Sequence, residues 1–249
     1  EGNTVSGSSV VLEASGSGNV ITQPVGVTGA NGEATGVVRS TVAETKTVRA
    51  LIDGSYMTDD VALVFTPGNV SLTLSEISGD KSSITANGVD AVAVSVVVKD
   101  SDGNAVSGST VVLSASGTGN SITQPVGVTG ADGIAIGTVR STVAEPKTIK
   151  AAIGGSTMAD SLNVEYVAGV VSPGVSGISS DVGTLTADGS AAATITVTVR
   201  DAEGNTVSGS SVVLEASGSG NVITQPVGVT GANGEATGVV RSTVAETKT

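Results

Sequence analysis

Asp100, Asp102 and Asn104, matched by Asp201, Glu203 and Asn205, carry the oxygen-rich spacing with which a calcium-binding loop begins. Calcium prefers about six to eight oxygen ligands, and a helix-loop-helix site closes with a bidentate Glu at about loop position twelve. Val111 and Val212 stand there instead, at inward strand positions. The pattern therefore reads first as a polar turn whose Asp and Asn side chains cap backbone N–H groups. A second calcium candidate is a domain junction at which Asp59 and Asp160 meet Asp80 and Asp181, since both sets recur along the chain. Other chemistry lacks its parts. The chain has no Cys and no His, so no thiolate, imidazole base or redox pair is available. Acids such as Glu13, Glu33, Asp53 and Asp60 fall on turns and outer faces, away from the concave pocket a hydrolytic carboxylate pair requires. The lysines read as outward or loop residues. A Lys–Asn isopeptide crosslink fails as a repeat-wide device, because Lys99 is replaced by Arg200 and Asn163 answers to Ala62. The expectation is a non-enzyme with no catalytic residue and no cofactor other than calcium at the positions named.

Composition narrows the class further. Lys and Arg number 11 against 23 Asp and Glu, a net charge of −12 that repels phosphate backbones and anionic lipid surfaces. Nucleic acid is not an expected partner. Hydrophobic residues reach 39% with only 14% charged, which is a folding composition rather than a disordered one. No apolar run approaches the roughly 18 residues of a membrane span.

Residues 1–47 recur unchanged as 203–249, and residues 102–148 match them at 36 of 47 positions. The period is therefore 101 residues, while 149–202 match 48–101 at only 20 of 54. A unit of that length suits a self-contained domain rather than a solenoid repeat of about 20 to 50 residues. Boundaries are placed at Pro67-Gly68 and Ala168-Gly169. They give a partial unit at 1–67 lacking its first strands, a complete unit at 68–167, and a partial unit at 168–249 lacking its last strands. The exact copies 202 apart point to duplication of a two-domain unit within a longer array.

Within a unit, alternation with period two marks strands with one buried face. Val92, Val94, Val96 and Val98 face inward, followed by Val111, Leu113 and Ala115, then Ala135, Gly137 and Val139, then Ile149, Ala151 and Ile153, and finally Leu162, Val164 and Tyr166. An opening strand around Leu72 and Leu74 and a short one around Val126 and Val128 bring the count to about seven, the number in an immunoglobulin-like sandwich. Asn31-Gly32, Asp132-Gly133 and Asn233-Gly234 read as turns with positive φ, and the recurring Gln23-Pro24, Gln124-Pro125 and Gln225-Pro226 as bends. No helix is evident. The fold class is all-β: tandem sandwiches arranged head to tail as an elongated rod.

Three motifs carry a family resemblance: Thr186-Ala187-Asp188-Gly189 before the second strand, Val199 to Gly209 with Asp201, Gly204 and Asn205 joining the second and third, and Thr129 to Ala135 in the later hairpin. Together they resemble the bacterial immunoglobulin-like repeats of intimin and invasin adhesins, with a departure at Asn87, where the family pattern has Asp. The resemblance implies a bacterial cell-surface stalk that carries a binding tip outside this chain toward a host or neighbouring cell. Two other readings follow from the sequence: a module that binds ligand through its loops, and a rod that self-associates laterally into a filament or surface layer. The scarcity of Tyr, Trp and Arg anchors weakens the first of these.

Overall fold

The structure is a computed structural model describing residues 2–249, and all its named elements are strands. The first unit contributes β1 (Val10–Ala14), β2 (Asn19–Thr22), β3 (Val37–Ser40), β4 (Thr45–Ile52), β5 (Ser55–Tyr56) and β6 (Val61–Val64). The second contributes β7 (Glu76–Gly79), β8 (Ser83–Thr85), β9 (Val92–Val97), β10 (Val111–Ala115), β11 (Asn120–Thr123), β12 (Ile134–Ser141), β13 (Pro146–Ile153), β14 (Ser156–Thr157) and β15 (Leu162–Val167). The third contributes β16 (Gly177–Ser180), β17 (Ala193–Thr198), β18 (Asn221–Thr224) and β19 (Glu235–Ser242). Among the described residues no strand-to-strand ladder crosses from one group to another.

The middle unit shows the whole plan. One sheet runs β10-β13-β15-β8, with β14 on β13, and the other runs β11-β12-β9-β7. β7 and β8 are one opening strand that changes sheets, and β14 is a two-residue hairpin extension of β13, which leaves seven principal strands. Alternation is strict where both faces matter: β9 reads buried at Val92, Val94 and Val96 and half-buried between them. The two inner faces meet in a core of Val, Ile, Leu and Ala that also takes in Met158 and Tyr166. Each fully buried Val, Leu or Ile side chain stabilises by about 1.5 to 3 kcal/mol. β9 pairs Val97 with Ile134 and Val92 with Val139, so Asp100 lies beyond one pole and Ser141 at the other. β13 starts at the Ser141 pole and pairs Pro146 with Glu165, which delivers Val167 to that same pole. Entry beside Asp100 and exit after Val167 are therefore at opposite ends, as an odd number of traverses requires.

Three local expectations are corrected. Leu72 and Leu74 lie on a turn closed by Ser75 N–H and Oγ donating to the Ser71 carbonyl, at 3.0 and 2.7 Å, and the opening strand starts at Glu76. The asparagine and aspartate of the Asn-Gly and Asp-Gly pairs keep negative φ, and only the glycines are left-handed, Gly133 at +72°. A Cβ there would meet the Val98 carbonyl at 2.6 Å, so both conformation and space demand glycine. The third correction concerns Val126 and Val128, which form no strand beyond a single bridge between Val128 and Thr110.

Gln124 explains that last difference. Continuing the Thr110–Val128 register along the pair sets Pro125 opposite Leu113, and proline has no N–H to give. The Gln124 side chain takes over. It accepts from Leu113 N–H at 2.7 Å and donates to the Leu113 carbonyl at 2.9 Å, standing in for a strand on the outer edge of β10. Gln23 on Leu12 and Gln225 on Leu214 repeat the device. An exposed edge is a template for pairing with another chain, and this side chain occupies its central rung. Replacing Gln124 by Ala should cost about 1–2 kcal/mol for the two bonds and lower the exchange protection of the Leu113 amide by roughly tenfold or more, readable by hydrogen–deuterium exchange.

Candidate functional site at the unit boundaries

The polar loops singled out in the sequence lie where one unit meets the next. β9 runs on through Val98 and Lys99 into a tight hairpin in which Asp100 N–H donates to Asn104 O at 2.9 Å and Gly103 N–H to Asp100 O at 3.2 Å. Lys99 bridges Ala105 across it. Asp100 points inward and is 1% exposed. Its Oδ1 accepts from Asp102 N–H at 2.9 Å and Asn104 N–H at 2.8 Å. Its Oδ2 accepts from Asn104 Nδ2 at 2.9 Å and from Gly68 N–H at 2.8 Å, the latter on the segment arriving from the preceding unit.

Asn104 reaches the other way. Its Nδ2 donates to the Thr41 carbonyl at 2.9 Å, and its Oδ1 accepts from Ala43 N–H at 2.8 Å, both on the turn between β3 and β4 of the first unit. The second boundary repeats every contact: Asn205 with Thr142 O at 3.1 Å and Ala144 N–H at 2.8 Å, and Asp201 Oδ2 with Gly169 N–H at 2.9 Å. A crevice of about 310 Å³ remains beside this second joint, lined by Ala144, Glu165, Tyr166, Thr206 and Ser208 among others.

Four N–H donors on each buried Asp occupy both carboxylate oxygens, which accounts for the aspartate without a cation. Asp102 sits on the exposed loop tip and offers only its N–H to Asp100. Asp160 and Asp80, assigned to opposite junctions of the middle unit, each bond backbone inside that unit: Asp160 Oδ2 accepts from Ile77 N–H at 3.3 Å and Asp80 Oδ1 from Ala93 N–H at 2.8 Å. Asp181 caps Thr194 N–H in the same way, and Asp59 is exposed. These carboxylates complete local backbone geometry, so their recurrence follows from the fold of each unit. Among the described residues no group of three or more His, Cys, Asp or Glu is placed to hold a metal ion.

The lysines correct the outward reading. Lys46 and Lys147 have fully buried side chains. Lys147 Nζ donates to Glu145 Oε1 and to the Thr118 carbonyl, both at 2.7 Å, and stands 5.8 Å from the centre of the Tyr166 ring. Lys46 repeats this with Glu44, Ser17 and Phe65, and Lys248 with Glu246 and Ser219. A buried ammonium persists only when paired and hydrogen-bonded, and here carboxylate, carbonyl and ring face supply that. The signal was in the sequence. Lys147 shares the inward parity of Ile149, Ala151 and Ile153, and Glu-x-Lys recurs at 44–46, 145–147 and 246–248. Glu145 also accepts from Thr118 N–H at 2.9 Å, which ties the turn that Asn205 reads to the hairpin between β10 and β11. Asn87, the departure from the family pattern, keeps the role of Asp188: its Oδ1 accepts from Val89 and Asp90 N–H as Asp188 Oδ1 accepts from Ser190 and Ala191.

The pattern of the bacterial Ig-like domain (group 1) matches residues 74–167 and 175–249. The chain belongs to this family. Bacterial Ig-like domains of this group thus account for the middle and last units, and the relatives agree. The chain is 28% identical over 234 residues to the inverse autotransporter adhesin YeeJ of Escherichia coli (strain K12), a match covering 88% of this chain and 9% of that protein. The chain thus spans under a tenth of that relative. Among solved structures, the Escherichia coli adhesin FdeC superposes with a TM-score of 0.63 at 20% identity, covering 96% of this chain and 79% of that one. Invasin, described as a bacterial integrin-binding protein, gives 0.58 at 20% identity, covering 96% and 48%. Yersinia pseudotuberculosis InvD gives 0.58 at 18%, covering 99% and 74%. These likenesses show the fold: tandem Ig-like sandwiches as in adhesins.

Electrostatics of the joint yields a pH dependence. Burial pushes the Asp100 carboxyl up, but the bonds from Asn104, Gly68 and Asp102 outweigh it and leave the group at about 2, below its ordinary 3.8. Asp201 is lowered by the same balance. A depressed carboxylate contributes its full stability above the unfolded value and loses it as protons bind. The joint should therefore hold unchanged above pH 3.8 and weaken progressively toward pH 2, which carboxyl chemical shifts in an NMR titration will follow. Lys147→Met should cost about 1–3 kcal/mol by stranding the Thr118 carbonyl and Glu145, measured by urea denaturation followed by circular dichroism.

Proposed function

We propose that residues 1–249 are part of the non-catalytic stalk of a bacterial surface adhesin or extracellular fibre, a spacer that projects a binding region outside this chain and transmits load. The observation that carries this reading is the entry of the chain at one pole of the middle unit and its exit at the other, with side-chain hydrogen bonds bracing the boundary at both ends. Units joined in that way add length. Strands of up to 8 residues, as in β12 and β13, together with the loops at both poles give each unit about 35 to 45 Å along the axis. Membership of an adhesin-bearing family supports the extracellular setting, and the acidic, lightly charged surface suits a soluble rod. Among the described residues no helix is long and apolar enough to cross a membrane.

Force along such a chain loads the terminal strand of the middle unit in shear against β13 and β8, so the rungs of that ladder share the load. Two measurements test the reading. Small-angle scattering should give an elongated particle rather than a compact one, and stretching of the full chain should give a rupture peak with a contour gain near 300 Å for the 68–167 unit. A globular envelope, or smooth extension without a peak, overturns the stalk.

A further inference from the structure

Two boundaries within one chain permit a comparison that the family likeness does not supply. The segments crossing them differ: Val64-Phe65-Thr66-Pro67 at the first and Glu165-Tyr166-Val167-Ala168 at the second. A linker with proline and one with alanine, or an exposed Val64 against Glu165, would set different angles if the linker decided the geometry. Yet the contacts at the two joints agree, the two made by Asn across the boundary and the one made by Asp to the glycine that opens its own unit. Asn to Thr carbonyl is 2.9 and 3.1 Å, Ala N–H to Asn is 2.8 Å at both, and Gly N–H to Asp is 2.8 and 2.9 Å.

From this we infer that the Asp100–Asn104 and Asp201–Asn205 loops are standard couplings: each recognises the preceding unit through backbone atoms alone and fixes the joint irrespective of the linker's side chains. The surface is the asparagine carboxamide with its aspartate. Its partner is the Thr-Val-Ala turn of any unit of this type.

Three features make the recognition directional. Both hydrogen-bond partners of Asn104 across the boundary are backbone groups, an N–H and a carbonyl, so these bonds do not read the receiving side chains. Asn104 Nδ2 also donates to Asp100 Oδ2, which orients the carboxamide and leaves Oδ1 facing the Ala43 N–H. An aspartate at that position would set an oxygen against both the Thr41 carbonyl and Asp100. The receiving turn is itself stiff, because the residue after Ala43 is Glu44, held by the buried Lys46 and by Ser17 N–H. Backbone recognition explains how units of diverged sequence can be duplicated and reordered while the joint between them is kept.

This inference deepens the stalk reading and rests on it for its purpose, and the test separates the two. The chain has no cysteine, so nitroxide labels can be placed at will. One doubly labelled full chain carries Ser114→Cys and Thr194→Cys, spanning the second boundary at exposed positions; another carries Thr35→Cys and Ser121→Cys, spanning the first. Pulsed double electron–electron resonance should give a narrow distance distribution for each pair, unchanged by EDTA. Asn205→Ala and the isosteric Asn205→Asp should at least double the width at the second boundary and leave the first narrow, with the melting temperature of the middle unit kept as the control for folding. A glycine-for-linker exchange at 167–168 should leave both widths unchanged. Narrow distributions in both Asn205 variants overturn the coupling while leaving an elongated stalk intact. Broadening by EDTA, or by the linker exchange alone, overturns it as well. A compact scattering envelope overturns the stalk itself.

Discussion

A sandwich filled with valine, isoleucine, leucine and alanine has a thin core, and the structure depends on how its backbone groups are satisfied where that core ends. Each unit meets the requirement by having a polar side chain bond to backbone at a distance in sequence. Thr129 Oγ1 donates to the Val106 carbonyl at 2.7 Å and accepts from Ser109 N–H at 3.0 Å. Gln124, Glu145 and Asp100 do the same for an edge, a hairpin and a loop, and Ser141 closes its own turn locally on Val143 N–H. Buried polar groups without partners cost more than the bonds gain, so these residues form a second framework that the aliphatic core cannot replace. The middle unit has one buried tyrosine, and even its hydroxyl is used, on the Val139 carbonyl at 2.9 Å.

The same framework carries the molecule from unit to unit. Lys147, enclosed between the sheets, holds Glu145; Glu145 ties the end of the turn at Ala144 to the hairpin between β10 and β11; and Asn205 of the following unit bonds that turn. Core packing, turn geometry and interdomain contact are consecutive parts of one hydrogen-bonded path. Interfaces between domains of one chain are ordinarily small and polar, and relative motion is the default unless something opposes it. Here the opposing element is a short set of oriented bonds rather than a large apolar patch. Such a joint adds little sticky surface to a chain whose net charge of −12 favours repulsion between copies.

Amino-acid order by itself determined the repeat of 101 residues, the strands with strict alternation and the all-β class, because each is a one-dimensional property: identity at a fixed offset, or apolar side chains on every second position. It also marked Asp100 and Asn104 as turn residues. Tertiary structure alone decided which atoms those side chains serve. Thr41 and Asn104 are 63 residues apart, and their contact exists only because antiparallel pairing brings the Asp100 loop of one unit and the β3–β4 turn of the preceding unit to the same boundary. The lysines fell between the two cases. Parity placed Lys147 inward, yet a charge is expected outside until a carboxylate, a carbonyl and an aromatic ring are seen to converge on it from Glu145, Thr118 and Tyr166. Spacing records which way a side chain points; only the folded chain supplies what it meets.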